Sequence, residues 1–385
     1  DLAKEIAKSK KEHGYPTSFK TCFTKNSTDK IFEVAKIFHE ADMQRGVSLS
    51  MQSLNEPTLK AVKRDNIKLK TFTELQKKYV EAQIPTYTEL ILALPEETYD
   101  TFTDGIEKLL QAGQHSQILI YNCSIMVNAE MGDPEYQKKY GFKIVNSPTF
   151  VAHASQSLNE VIEKEPIIIG TNTMPVEDWK KCSQFSVVVQ CFHSYGLLQQ
   201  MALFMHEYYQ ISYKKFYESF INFALGDPFL RESLSELDIF LESVINEEGR
   251  HQYIKDFGDI SWTPEDTMFL MLSNNSQELK ESIRNFMKKY EHYFVDEILE
   301  NLLLLQFNSV AHWLDVENLN ISLNYDIPEQ IHRIKMNQDT SELIRGNYLY
   351  QIEKRSYSDK EDFARHAVWY GRKQTKTMGN ISRIV

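Results

Sequence analysis

The hydrophobic pattern changes period repeatedly over residues 1–131. Leu2 and Ile6, one turn apart, with Gly14 and Pro16 behind them, predict a helix over Asp1–His13. Phe19, Thr21 and Phe23 alternate with Lys20, Cys22 and Thr24, which predicts a strand over Ser18–Thr24. Asn26 caps the next helix, whose apolar stripe is Ile31, Val34, Ala35 and Phe38. Alternation returns at Gly46–Ser53, with Val47, Leu49 and Met51 opposed to Ser48, Ser50 and Gln52. A short helix from Asn55 to about Arg64 follows, then one with Phe72, Leu75, Tyr79 and Ala82 on one face. Thr86–Thr98 reads as a buried strand, a tight turn at Pro95 and a helix start. That helix carries Phe102, Ile106 and Leu109, stops at Gly113 and gives way to a strand at Gln117–Cys123.

Strands near residues 20, 49, 90 and 120 alternating with helices predict an α/β unit with a parallel sheet, open or curled into a barrel. In such sheets functional residues gather at the strands' C-terminal ends, here Thr24–Asn26, Gln52–Asn55, Pro95–Thr98 and Asn122–Ser124. Residues 132–174 are irregular apart from a β-like run at Pro166–Gly170 and read as a wrapping linker. Residues 175–336 are mostly helical, with predicted helices at Val176–Glu207, Ser212–Ala224, Leu230–Asn246, Ser276–Tyr290 and Val295–Leu305. Residues 337–385 are more polar and read as a strap and tail.

Composition adds little to this picture. The 385 residues are 42% hydrophobic and 25% charged, as in ordinary globular chains, and the net charge of -11 argues against nucleic acid as a partner. Cys22, Cys123, Cys182 and Cys191 form no Cys-x-x-Cys pair, which suits buried small hydrophobes in a reducing, cytoplasmic compartment. The most apolar helical region, Phe185–Met205, contains Gln190, His193, Gln199 and Gln200 and reads as buried rather than membrane-spanning. His193 reads as a core histidine.

Glu89 lies inside the apolar run Thr86–Leu94 without a basic neighbour in sequence, and a buried carboxylate needs a partner or a ligand. Thr88, Leu90, Leu92 and Leu94 belong under the helices, so Glu89, Ile91 and Ala93 face the other way, towards Ser48, Ser50 and Gln52. Such a cluster either holds the hydroxyl and amino groups of a ligand or satisfies itself as a polar network. Arg64 either reaches a ligand carboxylate or sits solvated at a helix C-terminus. Lys25 is the only lysine placed at a strand end for an aldolase-like Schiff base.

Three stretches together resemble the second half of a radical S-adenosylmethionine (SAM) core. They are Ser48-Leu49-Ser50-Met51-Gln52-Ser53, the downstream Arg64, and Thr88-Glu89-Leu90-Ile91-Leu92-Ala93-Leu94-Pro95-Glu96-Glu97-Thr98. Ile120-Tyr121 and Ala129-Glu130-Met131 resemble the next strand and its loop. Asn172–Trp179 and Trp369-Tyr370-Gly371-Arg372 resemble the subgroup with an upstream cobalamin-binding domain. The resemblance implies the C-terminal part of a partial (β/α)6 TIM-like barrel followed by a mainly helical region. It implies SAM cleaved at a four-iron–four-sulfur cluster to a 5′-deoxyadenosyl radical, an electron donor such as a flavodoxin or ferredoxin, and methyl transfer or rearrangement, with or without cobalamin, on a small-molecule substrate or one the sequence does not name. By the same resemblance Gln52 and Glu89 bind polar groups of SAM, Arg64 its carboxylate, and Ile91 the adenine, with Ser50 and Tyr121 completing the cofactor contacts. The chain has no Cys-x-x-x-Cys-x-x-Cys, so cluster ligands and a cobalamin domain are expected upstream, and the chain alone is expected to be inactive. Ala93 and Glu96 stand where the family has glycine. The competing reading is a degenerate half-barrel that serves as a scaffold.

Overall fold

The computed structural model describes residues 1–19, 29–44, 46–155, 161–249, 251–295 and 297–384. The predicted strand Ser18–Thr24 lies outside these residues except for Ser18 and Phe19, as do Cys22, Lys25 and the cap Asn26.

Helices α1 (Leu2–His13) and α2 (Asp29–Glu40) pack together through Ala3 and Phe38, beside Met43. Gly14 ends α1 at φ 71°, a left-handed cap that costs glycine least. Then follow β1 (Val47–Ser48), α3 (Glu56–Ala61), α4 (Leu69–Glu81), β2 (Thr86–Leu92), α5 (Tyr99–Gln111) and β3 (Ile118–Asn122). The three strands form one parallel sheet in the order β1-β2-β3. Val47 pairs with Thr86, and Thr88–Leu92 run in register with Ile118–Asn122. Ladder-like contact between the first two strands continues past β1, since Leu49 N donates to Tyr87 O and Gln52 N to Glu89 O.

The two faces of β2 differ as the alternation predicts. Thr88, Leu90 and Leu92 are buried with Phe72 and Tyr79 of α4 and Phe102 and Ile106 of α5, while Glu89 and Ile91 are half-buried. Each fully buried large apolar side chain contributes about 1.5–3 kcal/mol, so this face fixes the register of the strand.

The stretch read as irregular has more order than expected. It contains α6 (Pro134–Tyr140), capped by Asp133, and an antiparallel pair, β4 (Lys143–Pro148) and β5 (Lys164–Gly170). Ile125 N donates to Pro166 O and Ile168 N to Cys123 O, so β5 lies against the end of β3.

The helical region comprises α7 (Val176–Val189), α8 (Gln199–Tyr209), α9 (Tyr213–Ala224), α10 (Pro228–Ile245), α11 (Pro264–Asn274), α12 (Ser276–Met287), α13 (Ile298–Ser309) and α14 (Ile327–Lys335). The single helix expected over Val176–Glu207 is broken after a wide turn at Gln190–Ser194. Gly196 there has φ 96°, and a Cβ on it would stand 2.5 Å from Met378 Cγ. Only glycine fits there, at a positive φ and beside a side chain from the far end of the sequence. β6 (Leu319–Tyr325), β7 (Arg345–Ile352) and β8 (Ile381–Arg383) form a second antiparallel sheet, with α15 (Lys360–Phe363) between the last two strands. This sheet joins residues on both sides of the predicted 336/337 boundary, and the tail contributes its edge strand. No described helix is long and apolar enough to cross a membrane.

Candidate cofactor site

Parallel pairing puts Ser48 beside Tyr87 and Ile91 beside Tyr121, so the half-buried face of the sheet carries Ser48, Glu89, Ile91 and Tyr121 together. Ser48 Oγ donates to Glu89 Oε2 at 3.3 Å, Ser50 Oγ donates to the same oxygen, and the two hydroxyls lie 2.6 Å apart. Among the described residues no cation forms an ion pair with Glu89. A carboxylate held by two hydroxyls still has lone pairs to offer a hydroxyl- or amino-bearing ligand. Burial pushes the Tyr121 phenol above its ordinary range, and the Glu89 charge adds to that shift.

Gln52 and Arg64 meet at the end of β1: Arg64 Nη1 donates to Gln52 Oε1 at 2.7 Å. Arg64 is exposed. Its guanidinium is therefore oriented by Gln52 and not buried in a site of its own. Gln52 also joins the sheet through its backbone, since Ile91 N donates to Gln52 O at 2.9 Å. Of the six residues singled out by the sequence, Ser50, Gln52, Glu89, Ile91 and Tyr121 thus lie on or just beyond three adjacent parallel strands, and Arg64, which follows α3, reaches them through Gln52.

The turn after β2 keeps a glycine-like backbone without glycine. Ala93 has φ 67° and Glu96 φ 65°, and Gln52 on the neighbouring strand end has φ 61°. Left-handed conformations cost a non-glycine residue about 1–2 kcal/mol each. Such outliers gather where surrounding structure over-determines them, often at functional sites. Two clamps hold this turn. Asn55 Nδ2 donates to Glu96 O at 2.9 Å, and Ser53 Oγ donates to Glu97 Oε1 at 2.9 Å. Glu97 is buried, its Oε2 has no hydrogen-bond partner, and burial pushes its carboxyl up to about 8 despite the Ser53 bond. Thr98 then caps α5 reciprocally with Thr101. Sequence reasoning placed this turn but missed the Ser53–Glu97 pair, whose partners lie far apart in the chain.

The other candidates fall away from this face. His193 is a core histidine, its ring nitrogens 3.1 Å from His115 Nδ1 and 2.9 Å from the Tyr217 hydroxyl. Cys123, Cys182 and Cys191 are buried free thiols, each pushed up by burial. Among the described residues no group of three His, Cys, Asp or Glu side chains is placed to hold a metal ion, so these residues do not fit an iron–sulfur cluster.

The likeness is to methyltransferases, one of them named as a cobalamin-dependent radical SAM enzyme, and it bears out the family resemblance read from the sequence. Within that class the chain is 35% identical over 228 residues to the cobalamin-dependent radical SAM methyltransferase TokK of Streptomyces tokunonensis, covering 59% of this chain and 33% of that protein. It is 35% identical over 218 residues to the 2-(S-pantetheinyl)-carbapenam-3-carboxylate methyltransferase of Streptantibioticus cattleyicolor, covering 57% of this chain and 32% of that protein. The chain therefore spans about a third of the length of these curated relatives. A solved radical SAM methyltransferase, TsrM from Kitasatospora setae with tryptophan and a SAM analogue bound, aligns at TM-score 0.33 with 13% identity. That alignment covers 47% of this chain and 38% of that one and is too slight to bear on the fold. No protein-family model matches the chain.

Proposed function

We propose that this chain is the SAM-holding part of a cobalamin-dependent radical SAM methyltransferase acting on a small molecule. The observation that carries the reading is Glu89, a half-buried carboxylate bonded by Ser48 and Ser50 on a largely buried strand. In this reading the sheet is part of a (β/α)6 barrel. Glu89 and Gln52 hold polar groups of SAM, with Ser50 orienting the Glu89 carboxylate. Arg64, already oriented by Gln52, takes the SAM carboxylate. Ile91 and Tyr121, side by side on adjacent strands, give the adenine an apolar and aromatic bed.

A four-iron–four-sulfur cluster and cobalamin would supply the radical and methyl-transfer chemistry, held by residues other than those described, while Glu89, Gln52 and Arg64 would hold SAM. This chain's part is to bind, orient and exclude water. The left-handed backbone at Ala93 and Glu96 favours a retained site over a decayed scaffold, because the turn keeps its shape although its side chains oppose it.

The reading is tested by anaerobic cluster reconstitution of the protein that carries this chain, followed by measurement of 5′-deoxyadenosine released from SAM with a flavodoxin or ferredoxin as reductant. Release that disappears in Glu89→Ala supports it. A loaded cluster that releases none contradicts it.

A further inference from the structure

A cavity of about 350 Å³ opens between α12, α13 and the segment 310–318 that leads into β6, and it shares no residue with the Glu89 face. Leu279 and Ile283, one turn apart on α12, line it together with Phe307 of α13 and with Leu197 beside the break between α7 and α8. Leu314 and Val316 belong to the same lining and are exposed, and uncovered apolar side chains beside a cavity mark a binding site more often than plain surface. The lining is fixed without a ligand. Gln306 Oε1 accepts from Gln200 N at 3.0 Å and Gln306 Nε2 donates to Gly196 O at 2.6 Å, which ties α13 to the start of α8. His312 spends both ring nitrogens, Nε2 at 3.2 Å from Ser273 O and Nδ1 accepting from Leu314 N at 3.1 Å. Lys354, just after β7, donates from Nζ to Val310 O at 2.8 Å and lies 3.1 Å from Asp315 Oδ2. Only 7% of the Lys354 side chain and 17% of the Asp315 side chain are exposed. His312 N donates to the same Oδ2 at 2.8 Å, so both partners of Asp315 use one oxygen. Its Oδ1 has no hydrogen-bond partner among the described residues, and Asp315 and Lys354 both line the cavity.

We propose that this cavity binds a neutral, mostly apolar hydroxyl compound whose hydroxyl donates to Asp315 Oδ1. Its volume lies at the small end of the roughly 300–1,000 Å³ of ordinary ligand pockets, which suits a molecule of about two fused rings. The apolar side chains take the rings out of water. The free carboxylate oxygen then decides the head group, because a hydrogen bond to a charged acceptor is about twice as strong as one between neutral groups. Charge decides the rest. The Lys354–Asp315 pair is neutral as a whole, so an anionic head would meet the open oxygen of Asp315 and a cationic one would meet Lys354, each left uncompensated in a largely dehydrated place. Lys280 and Glu317, also on the lining, carry opposite charges and favour neither sign. A neutral donor satisfies Asp315 and adds no charge. This site stands on its own geometry and does not depend on the reading of the Glu89 face.

A fluorinated 2-naphthol is the probe, read by fluorine NMR titration into the chain. Its methyl ether lacks the donor, and the matching naphthalene sulfonate carries a negative charge. The naphthol is expected to bind at least about tenfold more tightly than either control. Asp315→Asn sets an NH2 group where Oδ1 stood, since Lys354 and His312 N hold the remaining oxygen. In that variant the naphthol is expected to bind no better than its ether. Leu314→Ser combined with Val316→Ser, at two exposed positions and so harmless to folding, is expected to weaken naphthol and ether alike, and it decides the matter if Asp315→Asn does not fold. Circular dichroism establishes that each variant is folded. Equal affinity for naphthol and ether, tighter binding of the sulfonate, naphthol binding that ignores the variants, or no binding at all overturns the proposal.

Discussion

Glu96 and Ala93 share a left-handed backbone but answer differently to glycine. Relief of the conformation is worth about 1–2 kcal/mol, against about 0.5–1 kcal/mol for glycine's extra freedom in the unfolded chain. Glu96 is exposed, so Glu96→Gly is expected to stabilise the protein by about 0.5–1 kcal/mol, read as a higher urea midpoint at unchanged slope. Ala93 is fully buried, and its methyl contributes about 0.8 kcal/mol that Ala93→Gly loses, so that variant is expected to be close to neutral. Glu97 makes a pH prediction. Its carboxyl rises from 4.5 in the unfolded chain to about 8 in the fold, so the folded state binds the extra proton between those values. Stability from this group is full below about 4.5 and falls as pH climbs towards about 8. Glu97→Gln keeps the shape and removes the titration. It is expected to be more stable than the parent at about pH 8, by an amount on the order of a few kcal/mol, with the gap narrowing at about pH 5, as urea unfolding at the two pH values would show.

At the level of elements, the turn between β2 and α5 depends on the Thr98–Thr101 capping box. Thr98→Ala is expected to cost about 1 kcal/mol and to speed hydrogen exchange in the first turn of α5, with exchange in β3 unchanged. From α2 to β3 the order of strands and helices was legible because most of them have one buried face and one clear period. The alternation in Thr88–Leu94 separated Glu89 and Ile91 from Leu90 and Leu92, and the structure keeps that division. The break between α7 and α8 was not legible, since the side chain that leaves no room for a Cβ at Gly196, Met378, comes from the far end of the chain. Nor were β4 and β7, whose many exposed positions give no apolar alternation.

Across the whole molecule, the sheet with its candidate cofactor residues is closed by a network that no local pattern announces. His153, Tyr195, Asp266 and Arg372 come from four separate stretches, and only folding brings them together. Asp266→Asn leaves Arg372 buried with a weaker counter-charge, and is expected to cost about 3 kcal/mol in urea unfolding. The proposed role of the Glu89 face, holding SAM, involves fewer residues than this network. Isothermal titration of SAM into the chain and into Glu89→Ala tests it most directly, with circular dichroism to establish that both are folded. The account predicts binding to the parent and at least about tenfold weaker binding to the variant, a loss of about 1.4 kcal/mol. Equal SAM affinity in two folded proteins would contradict it.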